Sequence, residues 1–292
     1  MILRDLLDLN FNSTHMRKLL GLYYRENRTY RIPFGQLRGK KMQYDSAMNF
    51  HTMLGLSDLD VFRTLRKLFS VFPLPNGASA VDLGANRGVY TLWLATIGHF
   101  SKVYSFEPNP SLVGKLRKNI AINDLLNVEA HALACADKIG KMSLFLGEND
   151  STSSIVQNGG GQAIEIVTTS LDEFFLGNSS HQRPSFIKMD IEGAGVLALP
   201  GAARCISEVR PLLYLESHSP DEDREIGNLL TTLDYQALRV REREWVELVD
   251  EVYPNLRGVW GNMIACPTEH QIRIASAMRL RPRLWQKARR AA

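Results

Sequence analysis

Apolar positions in this chain recur in short runs separated by longer amphipathic stretches. From Ala78 onward the pattern alternates between the two, predicting strands at about 79–83, 102–106, 127–133, 185–190, 211–217, 235–240 and 260–266. Helical spacing falls at about 88–98, 110–122, 193–206, 221–232 and 269–288. Strands alternating with helices imply an α/β fold: a seven-stranded, Rossmann-like sheet, mostly parallel with an antiparallel last strand, and helices on both faces. Met142 to Leu146 and Ala163 to Val167 read as a small hairpin. The polar runs Asp150–Ser154 and Asn158–Gly161 between them suit a lid over a ligand.

Upstream, a helical start to about Tyr24 gives way to β-like alternation around Tyr30–Phe34 and then a helix from about Ser57 to Phe69. Pro73, Pro75, Asn76 and Gly77 punctuate the boundary. The expected organisation is a lead-in at 1–75 that contributes to an acceptor pocket, a core at 76–268, and a basic helix or tail at 269–292.

Composition narrows the class. The 292 residues are 45% hydrophobic and 23% charged, ordinary for a soluble globular protein, with no apolar run long enough for a membrane helix. The N-terminal residues lack the basic start and cleavage site of a signal peptide. Cys135, Cys205 and Cys266 are far apart and set among apolar residues, which suggests reduced core thiols and a cytoplasmic setting. The net charge of +4 gathers at the two ends, with seven Arg or Lys residues between Arg273 and Arg290. Such a tail suits a solvated helix face, with weak contact to an anionic membrane surface as the sharper reading. An oligomer is left open.

Candidate chemistry starts at Ser79-Ala80-Val81-Asp82-Leu83-Gly84-Ala85-Asn86-Arg87-Gly88, where a strand ends on an acid and a two-glycine loop opens a helix. About twenty residues further, Val103-Tyr104-Ser105-Phe106-Glu107-Pro108 ends a second strand on a second acid. Glycines let backbone approach a ligand, and an acid there accepts both ribose hydroxyls of an adenosyl group. The third glycine of a dinucleotide cradle is missing, which favours S-adenosyl-L-methionine, a donor with a ribose and no phosphate. The adenine is expected near Ala134 and Cys135.

Two more strands end in chemistry. Ile187-Lys188-Met189-Asp190-Ile191-Glu192 brings two acids to the carboxyl edge, where ligands of open α/β sheets sit. Asp190 and Glu192 are candidates to hold the donor's ammonium, orient an acceptor hydroxyl or act as base. Tyr214-Leu215-Glu216-Ser217-His218 places Glu216 and His218 on one side of the next strand. His218, as a neutral imidazole near pH 7, is the expected general base. Neither an Asp-Asp pair nor a His cluster suggests a metal site, and none is expected.

Taken in order, Asp82–Thr91, Phe106-Glu107-Pro108-Asn109-Pro110, Thr169–Asp172, Ile187–Ala194 and Glu216-Ser217-His218 resemble the FkbM family of methyltransferases over about residues 78 to 240. The resemblance implies a class I methyltransferase sheet and O-methylation of a sugar, glycan or other natural-product hydroxyl. It puts Asp82, Gly84, Asn86, Gly88 and Glu107 on donor-binding positions and Asp190, Glu192 and His218 at the reaction centre; Ala85, Pro108, Ala134 and Asp190 are expected beside the donor as well. Gly195 departs from the family pattern, which has Glu after the Gly-Ala pair. Three rival readings remain. A nucleic-acid methyltransferase is disfavoured because the fourth strand lacks an Asn-Pro-Pro-aromatic run and no basic stretch is interleaved with aromatics. A nicotinamide oxidoreductase is disfavoured by the missing glycine, and a donor-binding partner subunit without catalysis is the third.

Overall fold

A computed structural model describes residues 21–146, 163–241, 245–248, 261–270, 273, 274 and 276. The lead-in contains β1 (Thr29–Arg31), β2 (Lys41–Gln43), α1 (Phe50–Leu54) and α2 (Leu59–Phe69). The core runs β3 (Ser79–Leu83), α3 (Val89–Thr96), β4 (Lys102–Phe106), α4 (Pro110–Ala121), β5 (Val128–His131) and β6 (Ala134–Cys135). Next come β7 (Gly140–Phe145), β8 (Ala163–Thr169), α5 (Leu171–Leu176), β9 (Pro184–Met189), α6 (Gly195–Ala198) and α7 (Ala203–Val209). The last elements are β10 (Leu212–Ser217), α8 (Pro220–Thr232), β11 (Tyr235–Arg241), β12 (Trp245–Leu248) and β13 (Gly261–Pro267).

The main sheet has the order β12-β11-β13-β10-β9-β3-β4-β5. β10, β9, β3, β4 and β5 are mutually parallel, and β13 runs antiparallel between β10 and β11. All seven expected strands are present, the antiparallel last one included, and β12 adds an eighth at the edge through a hairpin with β11. β3 and β9 are buried along their whole length, as central strands covered on both faces must be.

Period-two alternation divides the core. Ala80, Phe186, Leu212 and Tyr214 face one layer, where α2 and α3 bring Phe62, Leu65, Leu68 and Trp93. Val81, Ile187, Met189 and Leu213 face the other, against Phe175 of α5, Ile206 of α7 and Ile226 and Leu230 of α8.

The helix expected at 193–206 is broken into α6, a single 3-10 turn at Pro200–Ala202, and α7. Pro200 has no N–H to donate to the preceding turn, and its ring crowds the carbonyl that a continuous helix would place there. The hairpin of 142–146 and 163–167 is present as antiparallel β7–β8, joined by β6 into a separate three-stranded sheet. The suggested lid at 147–162, most of the tail at 269–292 and the first 20 residues lie outside the described residues. All three cysteines are buried and unbridged.

The lead-in is fastened to the core through backbone mimicry. Asn123 accepts from the Lys41 N–H and donates to the Lys41 carbonyl, while Asn119, one turn earlier on α4, accepts from the Gln43 N–H. These amides pair with β2 as the next strand would.

Candidate functional site

β3 ends at Leu83, and at the next residue, Gly84, φ is +72 and a Cβ would run into the carbonyl oxygen of Asp190. The close approach of the strand ends therefore requires glycine here. Asn86 follows in the left-handed region and donates its N–H to Glu107 Oε2 at 2.8 Å, while Asn109 donates its N–H to Oε1 at 2.9 Å. Glu107 is 6% exposed, and burial raises its carboxyl above the usual range against those two amide bonds. Gly84, Asn86, Glu107, Pro108, Ala134 and Asp190 line one pocket, with Leu133, Cys135 and Leu144 as its apolar wall. A second cavity of about 270 Å³ adjoins it through Gly84, Asn86 and Asp190, and also takes in Ala85.

Two expected donor contacts are not brought to either pocket. Asp82 is fully buried beneath the loop, where the Thr91 hydroxyl donates to its Oδ2 at 2.6 Å and Lys188 Nζ lies 3.2 Å from Oδ1. Gly88 starts α3 at φ +93, and the nearest atom to a Cβ there would be Leu116 Cδ1. Both residues shape the loop rather than line the space.

Alternation and register explain how the acids meet. Tyr214 lies opposite Lys188 and Leu215 opposite Met189, so continuing the ladder by one sets Glu216 beside Asp190. Lys188, missed at the sequence level inside an apolar strand, is 2% exposed and donates to the carbonyls of Leu83 and Gly84. Burial opposes its charge, but Asp82 and Asp190 raise its pKa above the ordinary lysine range. Burial likewise opposes ionisation of Asp190, and Lys188 and His218 outweigh it, so its carboxyl is lowered.

His218 Nε2 lies 3.4 Å from Asp190 Oδ1 and 3.9 Å from Glu192 Oε2, and Nδ1 lies 3.4 Å from Glu222 Oε2. Burial disfavours the imidazolium, yet Asp190 and Glu222 push its pKa up to about 10. These carboxylates thus favour the imidazolium form near pH 7, against the neutral imidazole expected from the sequence. Glu192 occupies a left-handed conformation at φ 52, uncommon for a residue with a Cβ, and burial raises its carboxyl. Burial and then Asp190 raise Glu216 to about 7.

Glu222 packs against Gly195, the position that departs from the family pattern. It is fully buried, accepts from the Gly195 N–H at 3.0 Å and from the His218 N–H at 2.7 Å, and fills the space a Cβ at 195 would take.

Asp58 was also missed, because an acid before a helix reads as a cap. Its φ is 53, its side chain makes no capping bond to α2, and it lines the second cavity across from Lys188 and Asp190. Desolvation and the nearby Asp190 raise its carboxyl.

The sheet is eight-stranded and mostly parallel, and the acid-tipped end of its second core strand lies beside a glycine loop. Residues 82–244 match the model of the methyltransferase FkbM domain, and the chain belongs to that family. Among curated relatives it is 23% identical over 158 residues to methyltransferase 1 of Beauveria bassiana, an alignment covering 46% of this chain and 62% of that one. It is 24% identical over 209 residues to methyltransferase sdnD of Sordaria araneosa, covering 61% and 80%. The crystal structure of an FkbM methyltransferase from Methylobacillus flagellatus KT aligns at a TM-score of 0.45 and 23% identity, over 65% of this chain and 44% of that chain. The chain thus spans less than two thirds of the first of these relatives and less than half of that solved chain.

Proposed function

We propose that this chain is an S-adenosyl-L-methionine-dependent O-methyltransferase acting on a hydroxyl of a sugar, glycan or other natural product. The observation that carries the reading is the contiguity of two spaces: a pocket walled by Glu107 and Ala134, and a polar cavity sharing Gly84, Asn86 and Asp190 with it. Glu107 would hold the ribose, with Leu133, Ala134 and Cys135 against the adenine. Ala85, Asn86, Pro108 and the Gly84 backbone complete the grip, and Asp82 and Gly88 keep the loop in shape. Lead-in residues Ala47, Thr52 and Asp58 face Gly84 and Asp190 across the second cavity, which supports an acceptor pocket partly built by residues before 76.

The donor, when bound, supplies a methyl carbon already activated by its sulfonium. The protein has to hold an acceptor oxygen in line with that carbon, exclude water and remove one proton. A C–O bond forms as the C–S bond breaks, and the sulfonium charge is lost. Asp190 and His218 orient the acceptor hydroxyl; the proton goes to Glu192, not to His218, which already carries one. Three buried, unbridged cysteines support a reducing, cytoplasmic setting. Among the described residues no helix is long and apolar enough to cross a membrane.

Calorimetric titration with S-adenosyl-L-methionine and with NADH tests the class; binding of the first alone is expected, and the reverse overturns the reading. Transfer of a tritiated methyl group to glycan, lipid and RNA fractions then identifies the acceptor, with counts in glycan expected and counts in RNA alone overturning it. Glu192→Gln is expected to cut turnover about 10²–10⁴-fold with donor affinity retained. An unchanged rate would move the proton to Asp190 or water.

A further inference from the structure

The acceptor side of the proposed site contains a second potential ligand-binding feature, and the inference from it rests on that reading of the site. The nearest ligand atoms of Asp190, Glu216 and His218 all lie within 4.8 Å of one another. They come from two neighbouring strands, at positions that alternation and register bring to one face. No sequence motif joins them, because Asp190 and Glu216 lie 26 positions apart and the pairing exists only once β9 and β10 lie side by side.

Two features set this cluster apart from a solvated group of acids. His218 is presented edge-on, with Nε2 toward Asp190 and Nδ1 toward Glu222. Glu222 is itself fixed, fully buried and accepting two backbone N–H groups. A histidine that ligates a metal through one nitrogen commonly gives its other N–H to just such a carboxylate, which sets the tautomer and the ring plane. Glu216, in turn, points its half-buried carboxylate into the cluster with no hydrogen bond or ion pair among the described residues. Lys188 does not fill the space. Its ammonium sits by Asp190 Oδ2 and is engaged by Asp82 and two main-chain carbonyls, leaving Oδ1 to the His218 side.

We infer that Asp190, Glu216 and His218 form a binding site for a divalent first-row transition cation such as Mn²⁺. Two carboxylate oxygens and one imidazole nitrogen suit such an ion better than Mg²⁺ or Ca²⁺, which favour all-oxygen shells. As the cation binds, the Nε2 proton is released to solvent, so His218 is neutral only in the cation-loaded site, and Glu192 stays the acceptor of the hydroxyl proton. Three protein ligands leave coordination positions open, and one of the three, Asp190, lines both pockets. An acceptor hydroxyl bound there would be both positioned and made easier to deprotonate. The cation thereby selects acceptors that offer an oxygen pair, such as adjacent hydroxyls.

Mn²⁺ titrated into the full chain, alone and with S-adenosylhomocysteine, provides the test, with the free-ion electron paramagnetic resonance signal as the readout. One bound equivalent is expected. Glu216→Gln and His218→Gln should each weaken binding at least tenfold, and Glu222→Gln about 10–100-fold through the orientation of His218. An undiminished free-ion signal, or equal binding by wild type and variants, overturns the site. If a variant melts early, anomalous scattering at the manganese edge from soaked wild-type crystals decides instead. A peak between the three side chains supports the site, and its absence overturns it. Donor affinity measured by calorimetry in EDTA separates the readings: retained donor binding without Mn²⁺ binding removes the cation and leaves the methyltransferase reading in place.

Discussion

Glu107 already uses one lone pair on each carboxylate oxygen for the N–H groups of Asn86 and Asn109, which leaves one acceptor direction per oxygen for a ribose hydroxyl. Charge-assisted bonds of this kind contribute roughly 1.5–3 kcal/mol each. Glu107→Ala should therefore weaken S-adenosyl-L-methionine binding at least tenfold by calorimetry, and also lower the melting temperature, because two amides lose their acceptor. Glu107→Gln separates the effects: the shape is kept, one charged acceptor is lost, and affinity should fall more than stability. Unchanged affinity in both variants would take Glu107 out of the donor site. Its place on the pocket wall was legible in the sequence because a strand-ending acid about twenty residues after a glycine loop has few structural rivals. Asp82 was not, since a strand-ending acid under a loop looks the same whether it faces a ligand or a buried lysine. Lys188 and Glu222 escaped for a related reason. Lys188 sits in an apolar run, and Glu222 sits on a helix face that alternation alone reads as solvated.

The strands were legible because each carries its own apolar run and turn signal, and their order followed from the alternation with helices. What escaped were elements whose stability comes from partners distant in sequence. β12 is a four-residue edge strand that exists through pairing with β11, and β6 is two residues joined to β8. The attachment of β2 to α4 belongs to the same class, since a helix has no backbone groups to spare and side-chain amides take their place. Asn119 is 1% exposed; it accepts from the Gln43 N–H and donates to the Arg87 carbonyl, each at 2.8 Å. Asn119→Ala would leave both main-chain groups unpaired, a cost of about 2–4 kcal/mol in unfolding free energy. Denaturant titration with an unshifted midpoint would show that water replaces the amide.

At the scale of the molecule, the lead-in is locked to the glycine loop by charge. Asp45 Oδ2 lies 2.7 Å from Arg87 Nε and 2.7 Å from Lys115 Nζ, joining the segment after β2, the glycine loop and α4. Asp45 and Arg87 are 4% and 5% exposed, so removing the carboxylate leaves a buried guanidinium without that partner. Asp45→Asn should therefore cost roughly 3–5 kcal/mol at pH 7, more than any exposed pair would. Burial acts to raise the Asp45 carboxyl, but its bonds to Arg87 and Lys115 prevail and lower it to about 2 in the folded chain. An unfolded aspartate titrates near 3.9. The folded state thus binds fewer protons at this group, and its contribution is complete above about pH 4 to 5. It fades as pH falls toward 2. Wild type and Asp45→Asn should then differ most in denaturation midpoint near pH 7, with the gap narrowing steadily from about pH 5 down to pH 3. Because Arg87 belongs to the glycine loop proposed to hold the donor, the variant should also bind S-adenosyl-L-methionine more weakly at pH 7, through a loosened loop and without a lost contact. A gap in stability that stays constant across that pH range would mean that Asp45 contributes by packing alone, and that the lead-in is held to the glycine loop by something other than this carboxylate.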